Sequence, residues 1–334
     1  MPVDAHDTAT AAGATRPLRD DERLLRHLEW TVLRRLDGIL QGDYQTLLRG
    51  LGLDFAGLRE YQHDDDVRHI DWNVTARMNT PYVRQFSEDR DIGAWFLVDR
   101  SASADFGSAR AEDFHGATPM TKRDLAVQFV ALIARVLSRH GNRTAAMLYG
   151  EALDAVIPPG RDRRHVLHLL HRLRERAAAT PSRTETPRGP TRLDVLLQRA
   201  ATTLRRRSAV FIVSDFISVP GWEAPLAQLA RRHDVMLVHI TDPAEQQIPD
   251  IGAAILEDPE TGEQCFIDTG DAAFRARYAA LAAAHAAGVH AAAQRHGLGY
   301  LALSTGQSLV EPLVGLARSR KQRRHHDGTP RAVA

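Results

Sequence analysis

Asp99, Ser101 and Ser103 close an apolar run, Ala94-Trp95-Phe96-Leu97-Val98, and this junction constrains the fold more than any other stretch of the chain. A short continuous apolar run bounded by polar residues reads as a strand buried on both faces. Such strands belong to parallel sheets covered by helices, and an open sheet of that kind gathers ligands outside the carboxyl ends of its strands. The run therefore delivers one carboxylate and two hydroxyls to the edge where such a sheet binds things. Hard oxygen donors on a short loop suit Mg²⁺, or Mn²⁺, which favour near-octahedral oxygen shells that keep some water. The structural alternative for the same residues is that the serines cap the next helix and the aspartate merely ends the strand.

Three fixed residues arise by chance in roughly one chain in ten of this size, so other features must carry the reading. Val210-Phe211-Ile212-Val213 is a second buried-strand candidate, and it too ends in a polar pair, Ser214-Asp215. Gly189-Pro190-Thr191 opens a helical pattern through Leu193, Leu196, Leu197 and Leu204, which places Thr191 on a loop at the same edge. Together Asp99, Ser101, Ser103, Thr191 and Asp215 resemble the metal-ion-dependent adhesion site of von Willebrand factor A domains.

The segment upstream contains Leu58-Arg59-Glu60-Tyr61, then Asp65-Asp66-Val67-Arg68-His69-Ile70-Asp71-Trp72, then Ala76-Arg77. It resembles the family called domain of unknown function 58, marked by Arg-x-Tyr, Asp-x-x-Arg-x-Ile-Asp-Trp and Ala-Arg before a von Willebrand A-like domain. The likeness continues through Lys122, Ser214-Asp215-Phe216 and Asp242-Pro243-x-Glu245, and spans roughly residues 45–310. The chain departs from the family at His63-Asp64, where Pro-Gly is usual. The resemblance implies a α/β fold of the von Willebrand A-like, Rossmann-like kind, with a mainly parallel sheet, helices on both faces and additions at each end. It also implies a partner, since relatives often accompany MoxR-type AAA+ ATPases and are thought to act as adaptors in assembling or activating other proteins.

Periodicity supports the same architecture. Leu24, Leu25, Leu28, Val32 and Leu36 mark an early helix, and Leu125, Phe129, Leu132, Ile133, Val136 and Leu137 mark another, stopped at Gly141. Strands are expected at 144–148, 153–157 and 235–240, with helices at 164–174 and 222–232 between them. After residue 245 a hairpin around Pro259-Glu260-Thr261-Gly262, an Ala-rich helix at 271–296 and a strand at 300–303 follow. The chain divides into a tail (1–18), a helix with a charged segment (19–92), the von Willebrand A-like domain (93–245), a C-terminal elaboration (246–317) and a basic tail (318–334). The elaboration belongs to the same core.

At 334 residues the chain can bury a sizeable core, and its formal charge of +1 drives it to neither nucleic acid nor membrane. One cysteine, Cys265, excludes a disulfide framework or a cysteine zinc cluster; in Gln264-Cys265-Phe266-Ile267 it reads as a small core residue. No signal peptide and no run of ~20 apolar residues is apparent, so a cytoplasmic protein is expected. His165, His168 and His171 share a helix face but lack a completing ligand, so a solvated face is expected. Asp64, Asp65 and Asp66 could chelate a cation, but close to Arg59, Arg68 and Arg77 they read instead as a charge network, with Asp71, around Tyr61 and Trp72, and Trp72 reads as a core anchor. The resemblance implies that this network defines an interaction surface. The basic tail reads as a solvated end, with contact to nucleic acid or to an anionic membrane surface as the alternative.

Two functions follow. The first is a binding module, in which an ion at the five-residue site accepts a carboxylate from the ATPase or its client. The second is a Mg²⁺-dependent hydrolase using Asp99. The binding module is preferred, because no general base stands near the run and no phosphate-binding Gly-rich loop is present.

Overall fold

The computed structural model describes residues 20–36, 58–61, 67, 70, 72, 75, 80–84, 93–109, 120–150, 152–175 and 189–316. The two tails and residues Asp64, Asp65, Asp66, Arg68, Asp71 and Arg77 lie outside this set, so the charge network expected of them is not described.

The chain forms an α/β structure around one six-stranded sheet. Helix α1 (20–36) includes a π-turn at Glu29–Leu33. Strands β1 (Leu58–Glu60) and β2 (Tyr82–Arg84) make a separate antiparallel ladder. The sheet then begins with β3 (Gly93–Asp99), followed by α2 (Lys122–Arg139), β4 (Arg143–Tyr149), β5 (Leu153–Gly160) and α3 (Arg163–Arg174). Next come α4 (Leu193–Thr203), β6 (Ala209–Ser214), α5 (Glu223–Ala230), β7 (Asp234–Thr241) and the short α6 (Pro243–Gln246). A hairpin of β8 (Ala253–Glu257) and β9 (Gln264–Asp268), helix α7 (Ala272–Arg295) and β10 (Gly299–Ser304) complete the described fold.

The strand order is β10-β7-β6-β3-β4-β5, parallel throughout except for the β4–β5 pair. Alternation along β3 shows why the strand reads as continuously apolar. Ala94, Phe96 and Val98 pack into the core beneath α1, α2 and α3, while Trp95 and Leu97 face the core under α4, α5 and α7. Phe96 stacks on Phe211 of β6 with ring centroids 5.2 Å apart. Helix α2 is buried along most of its length; a Thr121–Asp124 capping box starts it, and Gly141 follows its end at φ +77°. The β3 connection runs through α2 on one face, and the β6 connection runs through α5 on the other. The crevice between the carboxyl ends of β3 and β6 is therefore the topological switch point of the sheet.

Helix α1 is held to the sheet layers by apolar packing and by charge. Leu25 and Leu36 are fully buried. Glu29 bonds Arg135 and, at 3.1 Å, Arg163. Asp21 bonds Arg174 at 2.7 Å. The C-terminal elaboration is not a separate layer, because β10 pairs in parallel with β7 and extends the same sheet.

Two expectations are corrected. Cys265 is exposed rather than in the core. It lies on a two-stranded hairpin that no layer covers among the described residues, so an apolar-looking strand finds nothing there to be buried against. Trp72 is 69% exposed and anchors no core. Among the described residues between 58 and 84, none joins the buried apolar clusters, which are filled by the sheet and its helices.

Candidate metal edge

The switch-point crevice brings together four of the five residues named above. Asp99, Ser101, Ser103 and Asp215 line one small cavity with Lys122, Ser214 and Ile240. Its volume of about 10 Å³ is room for roughly one water-sized sphere. Thr191 is buried on the same edge but does not line that cavity. Its carbonyl accepts bonds from Ser218 Oγ at 2.9 Å and Val219 N at 3.0 Å, while its Oγ1 is buried with no hydrogen-bond partner.

Local hydrogen bonds shape the loop after β3. Asp99 Oδ1 accepts from Ser101 N at 3.0 Å, and Asp99 Oδ2 accepts from Ser214 Oγ at 2.7 Å. The Ser101 and Ser103 hydroxyls lie 3.1 Å apart. On the β6 side, Ile217 N donates to Asp215 Oδ1 at 3.0 Å. That turn requires Phe216 in the left-handed region at φ +58°, a strained conformation for a bulky residue. Burial of its ring against Trp222 and His239, with centroids at 5.4 and 5.7 Å, offsets the strain.

A buried lysine completes the site. Lys122 Nζ donates to Asp215 Oδ2 at 2.7 Å and to Glu245 Oε1 at 2.5 Å. Burial acts to lower the Lys122 pKa, but the two carboxylates outweigh it and the pKa is raised. Burial first, then the charge of Asp215, pushes Asp99 up to about 6, against the Ser101 and Ser214 bonds that favour its ionised form. Glu245 is also raised by burial, in spite of Lys122. Asp242 supports this corner by accepting from Ser108 N at 2.9 Å and Thr305 Oγ1 at 2.5 Å.

Behind Asp215, His285 Nε2 lies 2.9 Å from its carbonyl oxygen, and the neighbouring His239 is pushed down to about 4 by burial and then by His285. Beside the cavity, a groove of about 700 Å³ runs between the loop after β6 and α7, lined by Phe216, Ile217, Trp222 and Val289.

The sequence marks Lys122, Ser214 and Glu245 only as carriers of the family likeness and gives them no place in the site. A signal for Lys122 exists: it is the first residue of α2, where the helix dipole disfavours a cation. Glu245 is announced by its capping box with Asp242. The histidine alternative resolves into structural contacts. His165 Nε2 bonds the Thr144 carbonyl at 2.7 Å, His171 lies between Asp21 and Glu175, and His168 is exposed. Among the described residues no cluster of three or more His, Cys, Asp or Glu is arranged to hold a metal. The edge thus offers two carboxylates plus hydroxyls.

Residues 57–288 match the family described as Protein of unknown function DUF58. The chain belongs to that family. It is 37% identical over 306 residues to uncharacterized proteins of Mycobacterium tuberculosis and Mycobacterium bovis, covering 91% of this chain and 92% of each of theirs. Among solved structures it is similar to the conserved hypothetical protein BatB from Bacteroides thetaiotaomicron, at 11% identity and a TM-score of 0.41, over 70% of this chain and 99% of that one. An aerotolerance-related membrane protein from Bacteroides fragilis matches with 13% identity and a TM-score of 0.40, over 68% and 99%. Among the described residues of the DUF58 chain, no helix is long and apolar enough to cross a membrane.

Proposed function

We propose that this DUF58 protein is a von Willebrand A-like, non-enzymatic docking module of the cytoplasm. Its edge of Asp99, Ser101, Ser103, Thr191 and Asp215 takes Mg²⁺ or Mn²⁺ and receives a carboxylate from a MoxR-type AAA+ ATPase or its client. The observation that carries the reading is the charge balance of the buried corner. Lys122 pairs with Asp215 and Glu245, and Asp99 lines the same cavity and feels the charge of Asp215, so full ionisation of these three carboxylates against one ammonium leaves two net negative charges at a cavity of about 10 Å³. One divalent cation neutralises them, and hard oxygens are the donors it prefers.

Asp99 and Asp215 would supply charge, and the Ser101 and Ser103 hydroxyls neutral donors. Thr191 adds a buried hydroxyl that lacks a partner. When bound, the ion supplies an electrostatic anchor for a partner's carboxylate. The adjoining apolar groove offers contact area to the rest of that partner.

The test is calorimetric titration of Mn²⁺ into the full chain and its Asp99→Asn variant, followed by binding of the ATPase with and without chelator. Binding of ion and partner by the wild type, lost in the variant and in chelator, supports the reading. Partner binding that survives both moves the interaction to another surface. Asp215→Ala is a poorer probe, because it also strands the buried Lys122.

A further inference from the structure

We propose that Glu260, at the tip of the β8–β9 hairpin, is a carboxylate that the chain supplies to its own metal edge, so that a partner's acidic side chain docks by displacing this hairpin. The inference rests on the docking reading above and deepens it. Ser103 N donates to Glu260 Oε1 at 3.1 Å, across 157 residues of sequence. Ser103 is a residue of the metal loop, so the hairpin brings an acidic side chain to the backbone of that loop, beside the residues that line the cavity.

The turn is built to present that side chain. Asp258 accepts from Glu260 N at 2.9 Å and from Thr261 Oγ1 at 2.8 Å, and its carbonyl accepts from Gly262 N at 2.7 Å. Gly262 takes φ +73°, which lets the chain reverse immediately after Glu260. Glu260 is half-buried while Asp258, Pro259 and Thr261 around it are exposed.

The hairpin is fixed at its base and lightly held elsewhere. Thr269 is buried; its hydroxyl donates to the Gly252 carbonyl at 2.7 Å and accepts from Ile251 N at 2.9 Å. Beyond that point the two strands pair, among the described residues, only with each other, and an isolated two-stranded hairpin has little stability of its own. Ile255 and Phe266 face each other across the strands and remain 65% and 73% exposed. A tethered carboxylate acts at an effective concentration of roughly millimolar, enough to compete with a weak partner and be displaced by a strong one.

The test uses the full chain and Mn²⁺ as probe, comparing wild type with Glu260→Gln, which keeps the side-chain shape and an acceptor for Ser103 N. Two readouts are taken: calorimetric affinity for Mn²⁺, and amide hydrogen exchange over residues 253–268 with and without the ion. The wild type is expected to bind Mn²⁺ with slowed exchange in the hairpin. Glu260→Gln is expected to bind about threefold more weakly or worse, with hairpin exchange indifferent to the ion. Equal affinity and equal protection in the two proteins would overturn the role of Glu260 and leave the metal reading standing. Absence of Mn²⁺ binding by the wild type would overturn both.

Discussion

Lys122 Nζ lies 2.7 Å from Asp215 Oδ2, with 2% of the lysine side chain and 6% of the aspartate side chain exposed. With the second bond to Glu245, this one ammonium ties the start of α2 to the ends of β6 and β7. It also places a fixed positive charge at the edge proposed to take a divalent ion. Lys122 therefore partly neutralises the corner and leaves a charge deficit that suits one such ion.

Lys122→Met should destabilise the protein by about 3–5 kcal/mol, because it leaves buried carboxylates without their counter-charge. Thermal melts in chelator and in millimolar Mg²⁺ check this. The loss should be largest in chelator and partly recovered with the ion. An unchanged melt would show the pair to be energetically idle.

Asp99 and His239 should respond to pH in opposite senses. Asp99 is raised to about 6 in the fold, so the unfolded chain loses this proton first and stability falls as pH rises from about 4 to about 6. His239 is lowered to about 4, so the unfolded chain gains its proton first. Its contribution is full above about pH 6.5 and is lost as pH falls toward about 4. Each effect is of order 3 kcal/mol. Denaturant unfolding in chelator resolves them: Asp99→Asn should gain on wild type as pH rises, and His239→Gln should gain as pH falls. Parallel curves for all three proteins would refute both.

Adding Mg²⁺ should raise the melting temperature, by an amount corresponding to about 2.7 kcal/mol when the ion is at a hundred times its dissociation constant. Asp99→Asn and Ser101→Ala should each reduce that increment, and scanning calorimetry against Mg²⁺ concentration measures it. A wild-type melt insensitive to both Mg²⁺ and Mn²⁺ would count against an ion at this edge.

Asp242→Ala should cost about 2–4 kcal/mol, since it strands the buried Thr305 hydroxyl, the Ser108 donors and the cap of α6. The same variant should loosen Glu245, its capping-box partner, which amide exchange over 242–247 would register. A stability within error of wild type would show that water replaces the carboxylate without loss.

Cys265 should react fully with a maleimide in the native protein, and Cys265→Ser should change stability by no more than about 0.5 kcal/mol. Labelling that requires denaturant would place the thiol back in a core.

What could be read from local pattern came out as strands, helices and caps in their places. The runs at 94–98 and 210–213 are buried strands ending at Asp99 and Ser214-Asp215, and Gly141 follows the end of its helix. Apolar periodicity and capping act over a few residues, so the sequence records them directly. Tertiary structure alone decided the rest. Cys265 and Trp72 looked like core residues, yet burial depends on whether another layer arrives, and among the described residues none covers them. Lys122 meets Asp215 across 93 residues and Ser103 meets Glu260 across 157. Such pairs are set by strand order and by where a hairpin returns to the sheet edge. The raised pKa of Asp99 likewise arises only when folding removes water from two facing carboxylates, a desolvation that no local pattern of residues encodes.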